Sequence, residues 1–255
     1  MTIFPFRDLT LSATNLQDFS NFLLTRKDSK KKPILVLPTT MNEVVWAWYS
    51  SVFRQKLRQF EYLVTDGMPL VWLARFYDKQ AGRVYGPDLM LRVLDSGQHF
   101  GSTHYLYGTN RETLKKLKTN ILERFHKVKI VGVYAPPYRP LSHNEIDKVV
   151  QHINHSQPDF IWVSLGGSKQ VEWSVELKNR LHARAIIPVG AAFDFIAGEK
   201  LQAPSWLQRL GLEWLFRLLT EPGRLWKRYV LQIPVFLVLW VLELIKVISK
   251  ENRKK

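Results

Sequence analysis

Residues 160–170, Phe160-Ile161-Trp162-Val163-Ser164-Leu165-Gly166-Gly167-Ser168-Lys169-Gln170, decide how the chain is read. A β-forming apolar run ends on two glycines and passes into a helical pattern over 170–180. The alternation recurs on both sides. Toward the N-terminus, strand signals at 128–133, 103–107, 62–64 and 33–37 alternate with helical patterns at 144–154, 111–125, 88–94, 69–76 and 43–58. Toward the C-terminus a strand at 185–189 closes on Gly190-Ala191-Ala192. Such alternation predicts an α/β fold, Rossmann-like, with a mostly parallel sheet covered by helices on both faces. Ligands of such sheets bind beyond the carboxyl ends of the strands. Chemistry is therefore expected in the turns at 38–42, 65–67, 108–110, 166–170 and 190–194.

Composition bounds the partners. The chain has 255 residues, 46% of them apolar, with nine Trp, which is ample for a packed core. Cysteine is absent, removing disulfides, thiolate metal sites and thiol nucleophiles, as suits a reducing cytoplasm. Residues 1–8 lack the basic-then-apolar pattern of a signal peptide. A net charge of +15 points to anions: nucleic acid, anionic lipid or a phosphorylated substrate, with a merely solvated basic surface as the plain alternative. Neither zinc-finger spacing nor an RNA-stacking signature is present, so nucleic acid is not expected as a partner.

Three regions follow: an N-terminal segment with a basic linker (1–32), an α/β core (33–203) and a helical C-terminal appendage (204–255). In the appendage, Arg217, Arg224, Lys227 and Arg228 stand among Trp and Leu, an arrangement suited to anions at a membrane surface. Thr220 reads as the N-cap of a last helix with Pro222 in its first turn, and Arg224 and Arg228 share a face at i, i+4. The apolar run 233–242 contains Pro234 and reaches spanning length only by including Glu243 and Lys246. With Lys250 these form a polar stripe at i, i+3, i+7. A helix lying in the membrane interface or packed on a partner is favoured over a spanning one, with a buried C-terminal helix as the alternative.

Asp66 follows a strand and precedes Gly67, so its carboxylate is either a general base at the ligand edge or part of an ordinary Asp-Gly turn. Thr40 and Asn42 either bond a sugar or phosphate, or cap the next helix, with Asn42 as the expected cap. Gly166-Gly167-Ser168-Lys169-Gln170 offers helix-start amides to a diphosphate. No Asp-x-Asp pair, zinc-type His spacing or Gly-x-Ser-x-Gly elbow occurs, so no metal or cofactor is expected. Arginines would then offset a leaving diphosphate.

In order and spacing the chain resembles the WecG/TagA/CpsF glycosyltransferases over residues 33–235. The matching pieces begin with Thr40-Met41-Asn42, Val64-Thr65-Asp66-Gly67-Met68-Pro69, Arg83-Val84-Tyr85-Gly86-Pro87-Asp88 and Tyr105-Leu106-Tyr107-Gly108. They continue with Leu165-Gly166-Gly167-Ser168-Lys169-Gln170, Gly190-Ala191-Ala192-Phe193-Asp194-Phe195, Gly211-Leu212-Glu213-Trp214 and Glu221-Pro222-Gly223-Arg224-Leu225-Trp226-Lys227-Arg228-Tyr229.

The resemblance implies a peripheral enzyme at the cytoplasmic face of the bacterial inner membrane. It would move a sugar, with inversion and without a metal, from a UDP-sugar to a polyprenyl-diphosphate-linked saccharide for an envelope polysaccharide. Asp66 would be the general base, with Thr40 beside it. Asn42, Gly67, Gly108, Gly166, Lys169, Gln170 and Asp194 would bind substrate. Arg217, Arg224 and Arg228 (or Lys227) would close over the diphosphate. Where the family carries Pro-Lys-Gln-Glu, this chain has Ser168-Lys169-Gln170-Val171, with an acid one place later at Glu172, about 100° around a helix. That departure motivates the alternative of a catalytically weakened membrane-docking subunit. Self-association into a homo-oligomer and the donor sugar are left open.

Overall fold

The computed structural model describes residues 1–26 and 32–252. A hairpin of β1 (Thr2–Phe6) and β2 (Leu9–Ala13) leads into α1 (Leu16–Thr25). After β3 (Ile34–Thr39) come α2 (Met41–Tyr49) and α3 (Ser51–Leu57), then β4 (Tyr62–Thr65), α4 (Met68–Ala74) and α5 (Gly86–Gly97). Strand β5 (Thr103–Gly108) is followed by α6 (Arg111–Arg124), β6 (Lys129–Tyr134) and α7 (His143–Ser156). Next are β7 (Phe160–Ser164), α8 (Gly167–Leu177), β8 (Ala185–Pro188) and α9 (Ala192–Ile196). The chain ends in α10 (Ser205–Arg209), α11 (Glu213–Thr220) and the 31-residue α12 (Pro222–Asn252).

The eight strands form one sheet in the order β1-β2-β4-β3-β8-β7-β5-β6, parallel except for the β1–β2 hairpin. The fold is α/β, as the strand–helix alternation predicts. Strand β7 shows why its run is apolar throughout. Ile161 and Val163 face a core built with α2, α3, α4, α7, α8 and α12, while Phe160 and Trp162 face one built with α1, α5, α6 and α9. A strand covered on both faces alternates between two cores, not between core and water.

Several expectations shift. The β1–β2 hairpin joins the core sheet through the β2–β4 pairing. Phe4, Phe6, Leu9 and Leu11 are buried in it, and the hairpin turns at Arg7 (φ 54°), a position without the usual glycine or asparagine signal. The basic run at 27–31 lies outside the described residues. The helix expected over 43–58 breaks at Ser50, whose extended backbone ends α2 and whose Oγ accepts the Phe53 N–H at 3.1 Å to cap α3. Thr40, not Asn42, caps α2 in a capping box with Glu43. The helix expected over 88–94 starts earlier, at Gly86, and carries Asp88 in its first turn. Thr220 ends α11, its hydroxyl bonded to the Phe216 carbonyl at 3.1 Å, and does not cap α12.

The 225–249 stretch of α12 is long and apolar enough to cross a membrane. One face nevertheless belongs to the core: Leu225, Tyr229, Gln232, Phe236, Leu239 and Glu243 are buried, in steps of three and four. Phe236 stacks on Phe6, the Trp240 indole donates to the Pro69 carbonyl at 2.7 Å, and Glu243 meets Arg7 at 3.5 Å. Glu243 therefore points into the protein, not toward water as part of a polar stripe. The opposite face leaves Val230, Leu231, Val238, Val241 and Ile245 exposed.

Candidate active site

The carboxyl ends of β3, β4, β7 and β8 open into a cavity of about 1000 Å³, closed on one side by α10–α12. At the end of β3 the Thr40 hydroxyl accepts the Asn42 N–H (3.2 Å) and donates to the Glu43 carboxylate (2.7 Å), shaping the first turn of α2. The Asn42 amide oxygen accepts from Gln232 of α12 at 3.1 Å. One strand over, the amides of Asp66 and Gly67 both donate to the Thr39 carbonyl, which fixes where the Asp66 side chain leaves β4.

Asp66 is 5% exposed. Its Oδ1 accepts from Nε and Nη2 of Arg83 at 3.0 and 2.9 Å, whereas Oδ2 takes only a 3.4 Å bond from the Gly86 amide. Burial raises its pKa to about 6, Arg83 opposing and the nearby Glu213 charge adding to the rise. The Arg83 guanidinium lies 3.9 Å from the Tyr85 ring centroid. Its Nη1 donates to Gln208 at 3.0 Å and its Nη2 to Glu213 at 2.5 Å. Tyr85 donates its hydroxyl to the other Glu213 oxygen at 3.0 Å. Burial disfavours the Arg83 charge, but Asp66 and Glu213 outweigh it and hold the guanidinium above its usual pKa. Burial, with Glu213 and Asp66, likewise pushes the Tyr85 phenol up, so it stays a donor.

Across the cavity, Gly166 and Gly167 take positive φ (72° and 52°) to turn β7 into α8. Gln170 is buried, and its Oε1 accepts the Gly190 N–H at 3.1 Å, tying the α8 start to the end of β8. Val171 fills the core at 1% exposure, while Glu172 lines the cavity and pairs with Lys56 at 3.7 Å. Lys169 sits exposed at the mouth. Asp194 pairs with Lys200 at 2.8 Å. Arg217 lies over the Phe195 ring (5.8 Å), and its Nε is buried without a hydrogen-bond partner among the described residues. One stretch of wall is apolar, from Met41, Trp214, Tyr229, Ile233, Phe236 and Leu237, while Asn110, Arg139 and Glu176 add polar groups elsewhere. Among the described residues no group of three His, Asp or Glu is placed to hold a metal ion.

Of the expected site residues, Thr40, Asn42, Asp66, Gly67, Gly166, Lys169, Gln170, Asp194 and Arg217 line this one cavity. Two described residues do not. Gly108 is outside the cavity lining, and a Cβ on it (φ 129°) would lie 2.1 Å from the Ser164 carbonyl oxygen, so the close approach of β5 to β7 requires glycine there. Lys227 is exposed over the Trp226 ring at 5.6 Å. Arg224 and Arg228 fall in the first two turns of α12. Sequence reasoning assigned no role to Arg83, Tyr85, Gln208 or Glu213. Arg83, Tyr85 and Glu213 were signalled only by membership of the matching motifs and Gln208 by nothing, because the contacts of Arg83 with Gln208 and Glu213 span 125 and 130 residues.

Residues 4–250 match the model of the glycosyl transferase WecG/TagA/CpsF family. Among curated relatives, an N-acetylglucosaminyldiphosphoundecaprenol N-acetyl-beta-D-mannosaminyltransferase of Bacillus subtilis (strain 168) is 28% identical over 200 residues, covering 78% of this chain and 73% of that protein. Proteins of the same name match from Bacillus spizizenii (26% identity; 91% of this chain, 88% of the relative) and Staphylococcus aureus strain NCTC 8325 (25%; 89% and 87%).

Proposed function

This chain belongs to the WecG/TagA/CpsF family of glycosyl transferases, and we propose that it moves an N-acetylhexosamine-type sugar from a UDP-sugar to a saccharide on a polyprenyl diphosphate. The observation that carries this reading is a single juxtaposition. A buried carboxylate, Asp66, sits in a large cavity whose apolar wall is formed by the same helix, α12, that shows an exposed apolar face to the outside. The relatives' names specify an undecaprenyl-diphosphate acceptor, which needs both an anion site and a lipid-facing surface.

In this mechanism the acceptor hydroxyl approaches Oδ2 of Asp66, the oxygen not engaged by Arg83. Oδ2 takes the proton as the acceptor oxygen attacks the anomeric carbon. The bond from that carbon to the diphosphate breaks with its electron pair, UDP leaves, and configuration inverts. Arg217, joined by Arg224 and Arg228 at the start of α12, offsets the charge on the departing diphosphate. The amides that open α8 at Gly166–Gly167 bind anionic oxygens. Gln170 is held on Gly190 and lines the cavity with Val171 packed in the core behind it, which supports a working transferase over a docking-only subunit.

Helix α12 attaches the protein to the cytoplasmic leaflet by its exposed face and does not cross. Crossing would separate Glu243 from Arg7 and Gln232 from Asn42, leaving Glu243 only its Lys246 partner on the same helix and costing both polar contacts with the core. The test is Asp66→Asn, assayed as UDP release with a synthetic prenyl-diphosphate saccharide in lipid vesicles. Turnover is expected to fall roughly 100-fold or more while the cooperative melt persists. Near-normal turnover would refute the assignment of the base.

A further inference from the structure

Arg83 is a largely but not fully buried cation, and its partner Asp66 is the group that must accept a proton. A buried pair of this kind makes a poor base, because protonating the carboxylate strands the cation. The structure holds a second carboxylate against the same guanidinium. Glu213 of α11 takes the Arg83 Nη2 hydrogen bond on Oε2, Gln208 of α10 takes Nη1, and Tyr85 holds the remaining Glu213 oxygen. Neither Glu213 nor Gln208 bonds to Asp66; Glu213 acts on it by its nearby negative charge and through Arg83, and Gln208 only through Arg83.

We propose that Glu213 is a positioning residue: its carboxylate keeps Arg83 compensated when Asp66 takes the acceptor proton, so that docking of the appendage makes the base usable. The inference rests on Asp66 being the base. It gives the appendage a role separate from its cationic side chains. An acidic residue of α11 acts on the proton-transfer half of the reaction, while Arg217, one turn further along the same helix, faces the anion.

The groups bearing on Asp66 are few. Arg83 and the Gly86 amide flank the start of α5, Glu213 comes from α11, and the Tyr85 phenol beside them feels the Asp66 charge. Glu43 of α2 is turned into its own capping box. Burial raises the Asp88 pKa, with Arg83 opposing and Glu213 adding, so Asp88 also responds to Glu213. Removing the Glu213 charge takes away a negative neighbour and leaves Arg83 to Asp66 alone, and both changes lower the proton affinity of Asp66.

The experiment uses the full chain in vesicles and compares the parent with Glu213→Gln, which keeps size and hydrogen-bonding capacity but loses the charge. Expected are a roughly tenfold loss of kcat, KM values for both substrates within about twofold, and an acidic limb of kcat/KM displaced to lower pH. Glu213→Asp, which keeps the charge, should hold the limb at the parent's position. A limb that stays in place for Glu213→Gln, or moves equally for Glu213→Asp, overturns the proposal. If Asp66→Asn were fully active, the base itself would be wrong. An inactive Asp66→Asn with an unmoved Glu213→Gln limb would reject only the role of Glu213.

Discussion

Lowering the pH should switch this enzyme off through Asp66 before it unfolds the protein. With a pKa of about 6, the charged fraction of Asp66 is roughly 0.9 at pH 7 and roughly 0.09 at pH 5. A base needed in its deprotonated form therefore loses about tenfold in kcat/KM over that interval, equivalent to about 1.4 kcal/mol. An Asp at its ordinary value of 3.8 would keep roughly 0.9 of its charge at pH 5 and show almost no decline. The stability sign is opposite. Folding raises this group's proton affinity, so its contribution to stability is full below the ordinary value of 3.8 and is lost as pH rises through about 6. Acid thus removes activity while this carboxyl favours the fold. The assay is initial UDP release in vesicles between about pH 5 and 8, with circular dichroism recorded in the same buffers. A flat kcat/KM across that range, on protein that remains folded, would refute the assignment of a raised pKa to the catalytic base.

Two further outcomes follow from the geometry. Val238 and Ile245 lie on the exposed face of α12 at 59% and 55% exposure. Converting both to Asp should weaken binding to anionic phospholipid vesicles by about 100-fold or more in a flotation assay, at unchanged melting temperature, since each aliphatic group buried in lipid contributes about 1.5–3 kcal/mol. Unchanged flotation would remove this face from the membrane contact. Gly108→Ala forces a Cβ into the Ser164 carbonyl at a positive φ, and should lower stability by about 3 kcal/mol or more in urea unfolding. A variant of parental stability that had lost only turnover would instead return Gly108 to the substrate site.

Much of the architecture was legible because it depends on local chemistry. Runs such as 160–164 and 103–107 are strong strand formers bounded by glycine, and Asn110 and Ser142 cap the helices that follow them or the next strand. The N-terminal hairpin was missed because its turn at Arg7-Asp8 lacks a glycine or asparagine and its strands are short. The break at Ser50 was missed because the apolar periodicity of α2 and α3 continues across it. Glu243 looked like one end of a surface stripe. Its partner Arg7 stands at the opposite end of the chain, and no local pattern connects them.

Taken alone, the sequence determined the alternation of strands and helices from residue 33 to 203, the turns at the carboxyl ends of the strands, Asp66 as the acid at the ligand edge, and a basic, apolar appendage. All of these follow from side-chain periodicity and turn residues over short windows. Only the tertiary structure decided that α12 packs one face on the core, that Thr40 caps while Asn42 is held by Gln232, and that Glu213 and Gln208 reach Arg83. The bonds of Arg83 to Gln208 and Glu213 and of Gln232 to Asn42 join residues 125 to 190 positions apart. They exist because the sheet and the appendage bury the same polar groups together, and a buried guanidinium must find its carboxylates wherever the packing brings them.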